Sequence, residues 1–404
     1  AFTATATHKV QQDIINKIGL RTPHSVRASF NRPNLFYQVE PKSQVDQQLL
    51  KFLKDHEGEA GIIYRTTRDV VNETAEFLES SDIKALPYHA GLPAEVRERN
   101  QEAFNRDEVQ VIVATIAFGM GIDKSNVRFV VHADLPRHIE GYYQETGRAG
   151  RDGEPAHCLL FFSRGDIPKI RYFIDKMEDE GERRIAMEKL NQTVRFASHN
   201  VCRRKQLLSF FGEAYPAANC EACDICTGSA DRIDISTDAR IFMSAMARTN
   251  ERFGIVHIID SVMGADTKRV RELGHHEIKT FGAGRLHDKN HWRFIVDELL
   301  AQELIKQDGD RYPVLKLTPR GAGVLTGTGE VFGLKREAVK TKERRRKTVA
   351  GGHYDEALFE RLRAIRKRIA GENHVPPYVI FSDKTLHEMC MHFPKTASEM
   401  RSIS

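Results

Sequence analysis

No G-x-x-x-x-G-K-[ST] run occurs anywhere in the 404 residues. A phosphate motor needs that glycine-rich loop, whose amides cradle the phosphates while Lys and Ser/Thr complete the site, so the chain alone is not expected to turn over a nucleoside triphosphate. Asp355-Glu356-Ala357-Leu358 is the nearest decoy for an acidic metal motif. Gly351-Gly352-His353-Tyr354 stands before it where an apolar strand should, and the stretch reads as a helix start. No apolar segment approaches the ~18 residues of a membrane span, and no signal-peptide pattern is present, so a reducing compartment is expected. Internal repeats and long low-complexity tracts are also missing. Neither sign of charge dominates: 61 Lys and Arg against 56 Asp and Glu leave +5 and a pI near 8.8. This balance permits nucleic-acid binding without establishing it, because what matters is where the charge lies. With 29% charged and 40% hydrophobic residues, the composition is that of a soluble globular protein with room for about two to four domains.

The most informative residues are Gln144-Glu145-Thr146-Gly147-Arg148-Ala149-Gly150-Arg151-Asp152-Gly153. Two arginines three apart on a glycine-flanked turn have the geometry of a trans-acting phosphate clamp. The guanidinium is permanently charged and offers bidentate donors, so it stabilises charge on a transferring phosphoryl group. Gly147, Gly150 and Gly153 are expected to let the backbone turn tightly. Taken alone, the same residues also read as a solvated Arg-Gly loop.

Their context favours the first reading. Val109–Thr115, Gly61–Tyr64, Val127–His132 and His157–Phe162 are apolar runs with the look of buried parallel strands,. Amphipathic stretches near 68–80, 94–105 and 137–147 read as helices between them. The βα alternation from about residue 58 to 163 implies a parallel sheet, with ligands at the carboxyl ends of its strands.

Phe30-Asn31-Arg32-Pro33-Asn34-Leu35, Gly61-Ile62-Ile63-Tyr64, Tyr88-His89-Ala90-Gly91-Leu92, Ala114–Lys124 and Tyr142–Gly153 occur in one order. In that order residues 31–165 resemble the second RecA-like lobe of a superfamily 2 helicase of the RecQ family. The resemblance implies ATP-driven 3′-to-5′ DNA unwinding, with roles in DNA repair, recombination and the SOS response. It implies that Gly119, Gly121, Asp123, Gln144, Arg148 and Arg151 lie at the nucleotide, with Arg148 and Arg151 catalytic and Arg151 as the arginine finger. Tyr64, Arg68, His89 and Thr115 would line a single-strand track. Arg65 departs from the family, which often has Cys there; a neutral change and a DNA-facing one both remain open. Thr3-Ala4-Thr5-Ala6 resembles the coupling motif that ends the first lobe, and the chain does not begin with Met. The expectation is a fragment lacking most of that lobe, with ATP and Mg²⁺ belonging to the complete enzyme.

Six cysteines are present. Cys202 with Cys220, Cys223 and Cys226 has spacing suited to tetrahedral thiolate binding of a structural zinc ion. Cys158 and Cys390 sit in apolar runs and read as core thiols. The four candidate ligands, with Cys202-Arg203-Arg204 and Phe210-Phe211-Gly212-Glu213, also match the RecQ zinc subdomain, in a helical hairpin around 185–211. The 17 histidines show no second metal spacing.

Beyond Ser236 the segments 238–251, 254–262 and 290–303 read as helices, and 304–317 as a hairpin with an Asp-Gly turn at Asp308-Gly309, which together suggest a winged helix. Asn250–Gly254, Phe281–Arg285 and His291-Trp292 are similar to the RecQ winged helix. Lys268, Arg269, Arg271, His275, His276, Arg285 and Lys289 form a basic set that would contact duplex phosphates. Tyr312, the aromatic near the turn, reads either as a strand-separating pin or as packing beside Pro313. Residues 335–347 read as a charge-dense linker. Asn373–Asp383 resembles the entry to an HRDC domain, and with ~50 residues this helical piece is expected to be marginal or to rely on neighbours.

The fold class expected is therefore multidomain: an α/β RecA-like parallel-sheet lobe, a helical zinc-binding subdomain, a winged helix and a partial all-α HRDC domain. The boundaries are 1–30 (tail of a first lobe and connector), 31–165, 166–232, 233–328, 329–350 (basic linker) and 351–404. The resemblance implies DNA as partner, both single strand and duplex junction, a single-strand-binding protein, and a bacterial cytoplasmic, nucleoid-associated setting without membrane. A second reading is a non-catalytic zinc and winged-helix DNA-binding protein.

Overall fold

The computed structural model describes residues 8–19, 24, 26, 28–115, 118, 123–198, 200–228, 230–308, 313–327, 329–336 and 354–403. Two compact units are formed: 1–197 with 202–227 and 339–404, and 198–201 with 228–338. Gly119, Gly121, Tyr312, the Thr3–Ala6 stretch and residues 337–347 of the expected linker lie outside the described residues.

The first unit runs α1 (His8–Ile18), β1 (Leu35–Pro41), α2 (Val45–Asp55), β2 (Ala60–Tyr64), α3 (Arg68–Glu79), β3 (Ala85–Tyr88), α4 (Ala94–Asn105), β4 (Val111–Ala114), β5 (Val127–His132), α5 (Ile139–Thr146), β6 (Ala156–Phe162), α6 (Asp166–Asp175), α7 (Glu180–Ser198), α8 (Arg203–Phe210) and α9 (Asp224–Thr227). Its six strands lie in the order β1-β6-β5-β2-β4-β3, and every pairing is parallel. Strand periodicity sorts the side chains to two faces. Ile62, Tyr64, Ile112, Ala114, Val130 and Leu160 share one core with helical residues such as Phe104, Ile139 and Leu207. Ile63, Val111, Val113, Phe129, Val131 and Leu159 share the other with Leu49, Phe52, Val71 and Leu78. Helices cover both faces, which explains why the strands read as continuous apolar runs. β1 and β3 escape a reading by apolar runs, because β1 carries Gln38 and Glu40 and β3 contains Pro87. β3 is an edge strand, where a missing backbone N–H is tolerated,.

The second unit runs β7 (Ala230–Asp234), α10 (Ser236–Arg248), α11 (Ile255–Met263), α12 (Lys268–Glu272), a 3₁₀ turn at His275–Glu277, α13 (Lys289–Ala301), β8 (Ile305–Asp308), β9 (Val314–Leu317), α14 (Pro319–Thr326) and β10 (Phe332–Arg336). Trp292, Phe242, Met243, Ile258, Ile295 and Leu315 are buried in its core. The Trp292 indole N–H donates to Gly284 O at 3.0 Å. A Cβ on Gly284 would fall 2.1 Å from the indole, so glycine is required for that approach.

Two expectations change here. In the β8–β9 hairpin Asp308 pairs with Val314, leaving residues 309–313 between them, a longer connection than the two-residue Asp-Gly turn. Lys335 and Arg336 belong to β10, which pairs antiparallel with β7, so the segment read as linker begins inside a ladder, and the residues just after the zinc cysteines join the winged unit. The partner strand is about a hundred residues away in the chain, and the charge of β10 hides its apolar start.

In the first unit, the carboxyl-terminal helices are α15 (Glu356–Glu372), α16 (Pro377–Ile380), α17 (Asp383–His392) and α18 (Ala397–Arg401). Asp355 caps α15 by accepting from Leu358 N at 2.9 Å, which makes the decoy acidic stretch a helix start. Buried Arg366 pairs with Asp383 at 2.8 Å, and His387 lies 3.1 Å from Glu154 of the α/β lobe. Lys367 donates to Asp107 O at 2.8 Å and Arg363 to Gly58 O at 2.7 Å, so this helical module rests on the lobe through polar contacts.

Candidate functional site

The loops after β2, β4 and β3 emerge side by side because these strands are parallel neighbours. Arg65 N donates to Ala114 O at 2.8 Å and Thr115 N to Tyr88 O at 3.2 Å, lining up Tyr64, Thr115 and His89 along one sheet edge. Their exposure differs. Tyr64 is buried, its hydroxyl donates to Phe118 O at 3.0 Å, and burial pushes its pKa up. His89 is also buried. Its Nε2 meets Asn72 Oδ1 at 3.0 Å, its Nδ1 accepts from Gly91 N at 3.2 Å, and burial with the nearby Arg68 charge lowers its pKa. Arg68 is exposed at the start of α3, against Gly91, and Thr115 is half-buried. Of these four, Arg68 is exposed and Thr115 half-buried, while Tyr64 and His89 are covered. Arg65 turns to Asp134 at 3.4 Å, where Lys42 also binds at 2.6 Å and Thr66 N donates at 3.0 Å. Burial raises the Asp134 carboxyl, but Arg65 and Lys42 outweigh it and hold the group below its ordinary value.

The Arg loop follows α5. The structure divides its two arginines. Arg148 is half-buried and directs its charge at Tyr64, whereas Arg151 is exposed and its Nη1 lies 3.0 Å from Asp123 Oδ1. Such an exposed pair contributes roughly 0–1 kcal/mol, so this contact by itself holds the side chain only weakly. Gly150 and Gly153 hold φ of +56° and +86°, the left-handed region that glycine favours,. Gly147 has a helical φ of −62°, contrary to the expectation that all three glycines shape the turn. Gln144 is exposed on α5.

Arg32 and Asn34 fix the backbone of this loop. Arg32 donates to Gly147 O, Ala149 O and Gly150 O at 3.2, 3.0 and 2.8 Å, and Asn34 Nδ2 donates to Gly150 O and Glu154 O, both at 2.8 Å. Arg204, which is buried, reaches back to the same segment through Asn31 Oδ1 at 2.6 Å, Arg32 O at 2.6 Å and Leu35 O at 2.7 Å. Its neighbour Arg203 forks onto Asp224 at 3.0 and 3.1 Å. A continuous series of charge-assisted bonds therefore joins the cysteine module to the Arg loop. Motif reading found Arg32, Asn34 and Arg204 but no role for them, since their targets are backbone carbonyls distant in sequence.

Cys202, Cys220, Cys223 and Cys226 bring four sulfurs within 4.8 Å of one another, and Cys202 and Cys223 are 4.0 Å apart. Thiolates at ~2.3 Å around a tetrahedral zinc ion are separated by about 3.8 Å, so the donor set fits zinc in a closed structural site. Lys205 N, Cys220 N and Cys226 N each lie 3.4 Å from a cluster sulfur, giving the thiolates backbone donors. Contacts with Cys202 and Cys223 lower the Cys220 thiol below its ordinary value, and contacts with Cys220 and Cys223 drive Cys202 upward. Cys158 is buried in the sheet core and pushed up to about 12 by burial; Cys390 is buried in α17. Neither joins the cluster, and no disulfide bond links the described cysteines.

On the winged unit Lys268, Arg269, Arg271 and Arg285 are all exposed. Arg271 is paired with Asp266, while Lys268 lies 3.7 Å from Glu272 with its side chain 90% exposed. His275 is half-buried, its Nδ1 2.8 Å from His257 Nε2.

Models of known families match in chain order: the helicase conserved C-terminal domain over residues 44–153, RecQ zinc-binding over 164–227, the RQC domain over 229–342 and the HRDC domain over 355–404. This succession defines a helicase carboxyl-terminal lobe with zinc, winged-helix and helical accessory modules. The chain is 40% identical over 406 residues to the ATP-dependent DNA helicase RecQ of Pasteurella multocida (strain Pm70), covering 100% of this chain and 64% of that protein. The corresponding protein of Haemophilus influenzae is 39% identical over 409 residues and that of Bacillus subtilis 37% over 403, with 100% of this chain and 66% of each relative covered. The chain belongs to the RecQ family of helicases, and it spans 64–66% of the length of these relatives. No helix among the described residues is long and apolar enough to cross a membrane.

Proposed function

We propose that this chain supplies the second motor half of an ATP-dependent 3′-to-5′ DNA helicase acting in DNA repair and recombination, and that it hydrolyses no ATP without a phosphate-binding partner lobe. The observation that carries the proposal is the clamped Arg loop: Arg32 and Asn34 fix its backbone while Arg151 stands exposed at its end. In the closed state Arg151 would leave Asp123 for the triphosphate and meet the charge that develops on the transferring phosphoryl group. Mg²⁺ and the P-loop belong to the partner lobe. Gln144, Asp123 and the glycines 119 and 121 would border the nucleotide, and Arg148 would join that border to the strand track through Tyr64. Arg68 and Thr115 would hold the single strand, with Tyr64 and His89 beneath them, while Lys268, Arg269 and Arg285 would grip the duplex phosphates. An SOS-response role, a nucleoid-associated cytoplasmic setting and a single-strand-binding protein as partner go with the same reading.

The test compares the purified chain with the same chain joined behind a P-loop lobe, each given ATP, Mg²⁺ and tailed duplexes. The lone chain is expected to show no DNA-stimulated turnover, and the joined protein to unwind 3′-tailed DNA. Turnover by the lone chain, freed of contaminating helicase, contradicts the proposal, as does a preference for 5′ tails.

A further inference from the structure

Outside the cysteine cluster, one other group of metal-ligating side chains comes together among the described residues: Asp238, His287 and His291. The mechanism uses none of them. Asp238 lies in the first turn of α10, His291 in the first turn of α13, and His287 just before the Asp288 cap of α13. His291 Nε2 is 2.8 Å from Asp238 Oδ2, and His287 Nε2 is 3.9 Å from the same oxygen. The two imidazoles stack with centroids 3.9 Å apart and planes 18° from parallel.

We infer that Asp238, His287 and His291 form a second metal site, one that takes a borderline divalent transition ion of the zinc class. Two imidazoles and a carboxylate are a donor set for such ions, and three protein ligands leave at least one position open. Nitrogen and oxygen ligands at about 2.0–2.1 Å around a tetrahedral ion are separated by about 3.4 Å, a spacing that the 2.8 and 3.9 Å distances bracket,. Stacked rings direct their in-plane lone pairs alongside each other. Binding therefore requires one ring to swing out of the stack, and His287, with its side chain 45% exposed, is free to do so, while His291, 25% exposed, holds its place. That exposure also gives an ion a way in. The bound ion would staple α10 to α13 and fix the segment 285–289, which carries Arg285, one of the residues proposed to grip duplex phosphates. Metal binding at this trio does not depend on the helicase reading.

The test uses the whole chain without a histidine tag, its cysteine site filled with zinc and excess metal removed. Co²⁺ is then titrated in, followed by calorimetry and visible absorption. One further equivalent is expected, with ligand-field bands of nitrogen and oxygen donors and no thiolate charge-transfer band. His287→Asn, a change at an exposed side chain, is expected to abolish that equivalent while the cysteine-bound zinc, measured by elemental analysis, stays at the wild-type level and reports an intact fold. No further equivalent on the wild-type chain overturns the assignment. So does a further equivalent that His287→Asn retains, or one that displaces zinc and shows thiolate absorption; in those cases the trio is a hydrogen-bonded, stacked cluster only.

Discussion

The α/β unit and the winged unit use positive charge in opposite ways. In the first, Arg32, Arg203 and Arg204 are spent inside the protein on carbonyls and a carboxylate, and Arg151 is left at the end of a backbone they hold still. In the second, Lys268, Arg269 and Arg285 stand in solvent. Internal arginines set geometry, on which the rate of a chemical step depends steeply. Surface cations set affinity, which is spread over many phosphates and screened by salt. A single substitution should therefore be severe in the first unit and graded in the second.

The largest expected effect lies where the cysteine module anchors this series of bonds. Binding of structural zinc contributes on the order of 10 kcal/mol to folding in small modules. Cys223→Ser should lower zinc content and soluble yield together, read by elemental analysis and expression; full metal stoichiometry in the variant would break the assignment. Next, Arg32→Ala frees the Arg loop without touching zinc. In the protein joined to a P-loop lobe it should reduce ATP turnover by about 10²-fold, the cost expected of a displaced catalytic group, with metal content unchanged. An unchanged rate would show that the clamp is only structural. In the winged unit, replacing Lys268, Arg269 or Arg285 with Gln should each weaken duplex binding modestly and reduce the slope of log affinity against log salt by about 0.9 for each phosphate no longer neutralised. A large loss from one residue, or an unchanged slope, would erase the contrast between the units.

The smallest effect concerns acid. The Asp134 carboxyl is held below its ordinary value in the folded chain by Arg65 and Lys42. Folding then favours the ionised form, so its contribution is complete above the unfolded value near pH 4. It is lost as pH falls through the lower folded value. The melting temperatures of wild type and Asp134→Asn should differ at neutral pH and converge below pH 4; a gap that widens in acid would reverse the sign.

Much of this was legible in the sequence. Apolar runs gave β2, β5 and β6 nearly to the residue, because strands covered on both faces need no polar side,. The cysteine spacing gave the zinc ligands, because three of the four sulfurs come from one short loop. Other features depend on partners far apart in the chain. The β7–β10 ladder joins residues near 230 and 336, and the Arg32 clamp reaches from residue 32 to 150. Asp238 meets His291 across about fifty residues, so counting histidine spacings could not reveal that cluster. Burial was also hidden. Tyr64 and His89 carry family motifs, yet both are covered, while Arg68 is exposed and Thr115 half-buried.

The central claim is that Arg151 acts on the transferring phosphoryl group and not on the fold. Steady-state hydrolysis by the lobe-joined protein carrying Arg151→Ala tests it most directly, with nucleotide binding measured in parallel. The account predicts that kcat falls by about 10³-fold or more while nucleotide affinity, zinc content and DNA binding stay near wild type. A kcat within a few-fold of wild type would contradict it.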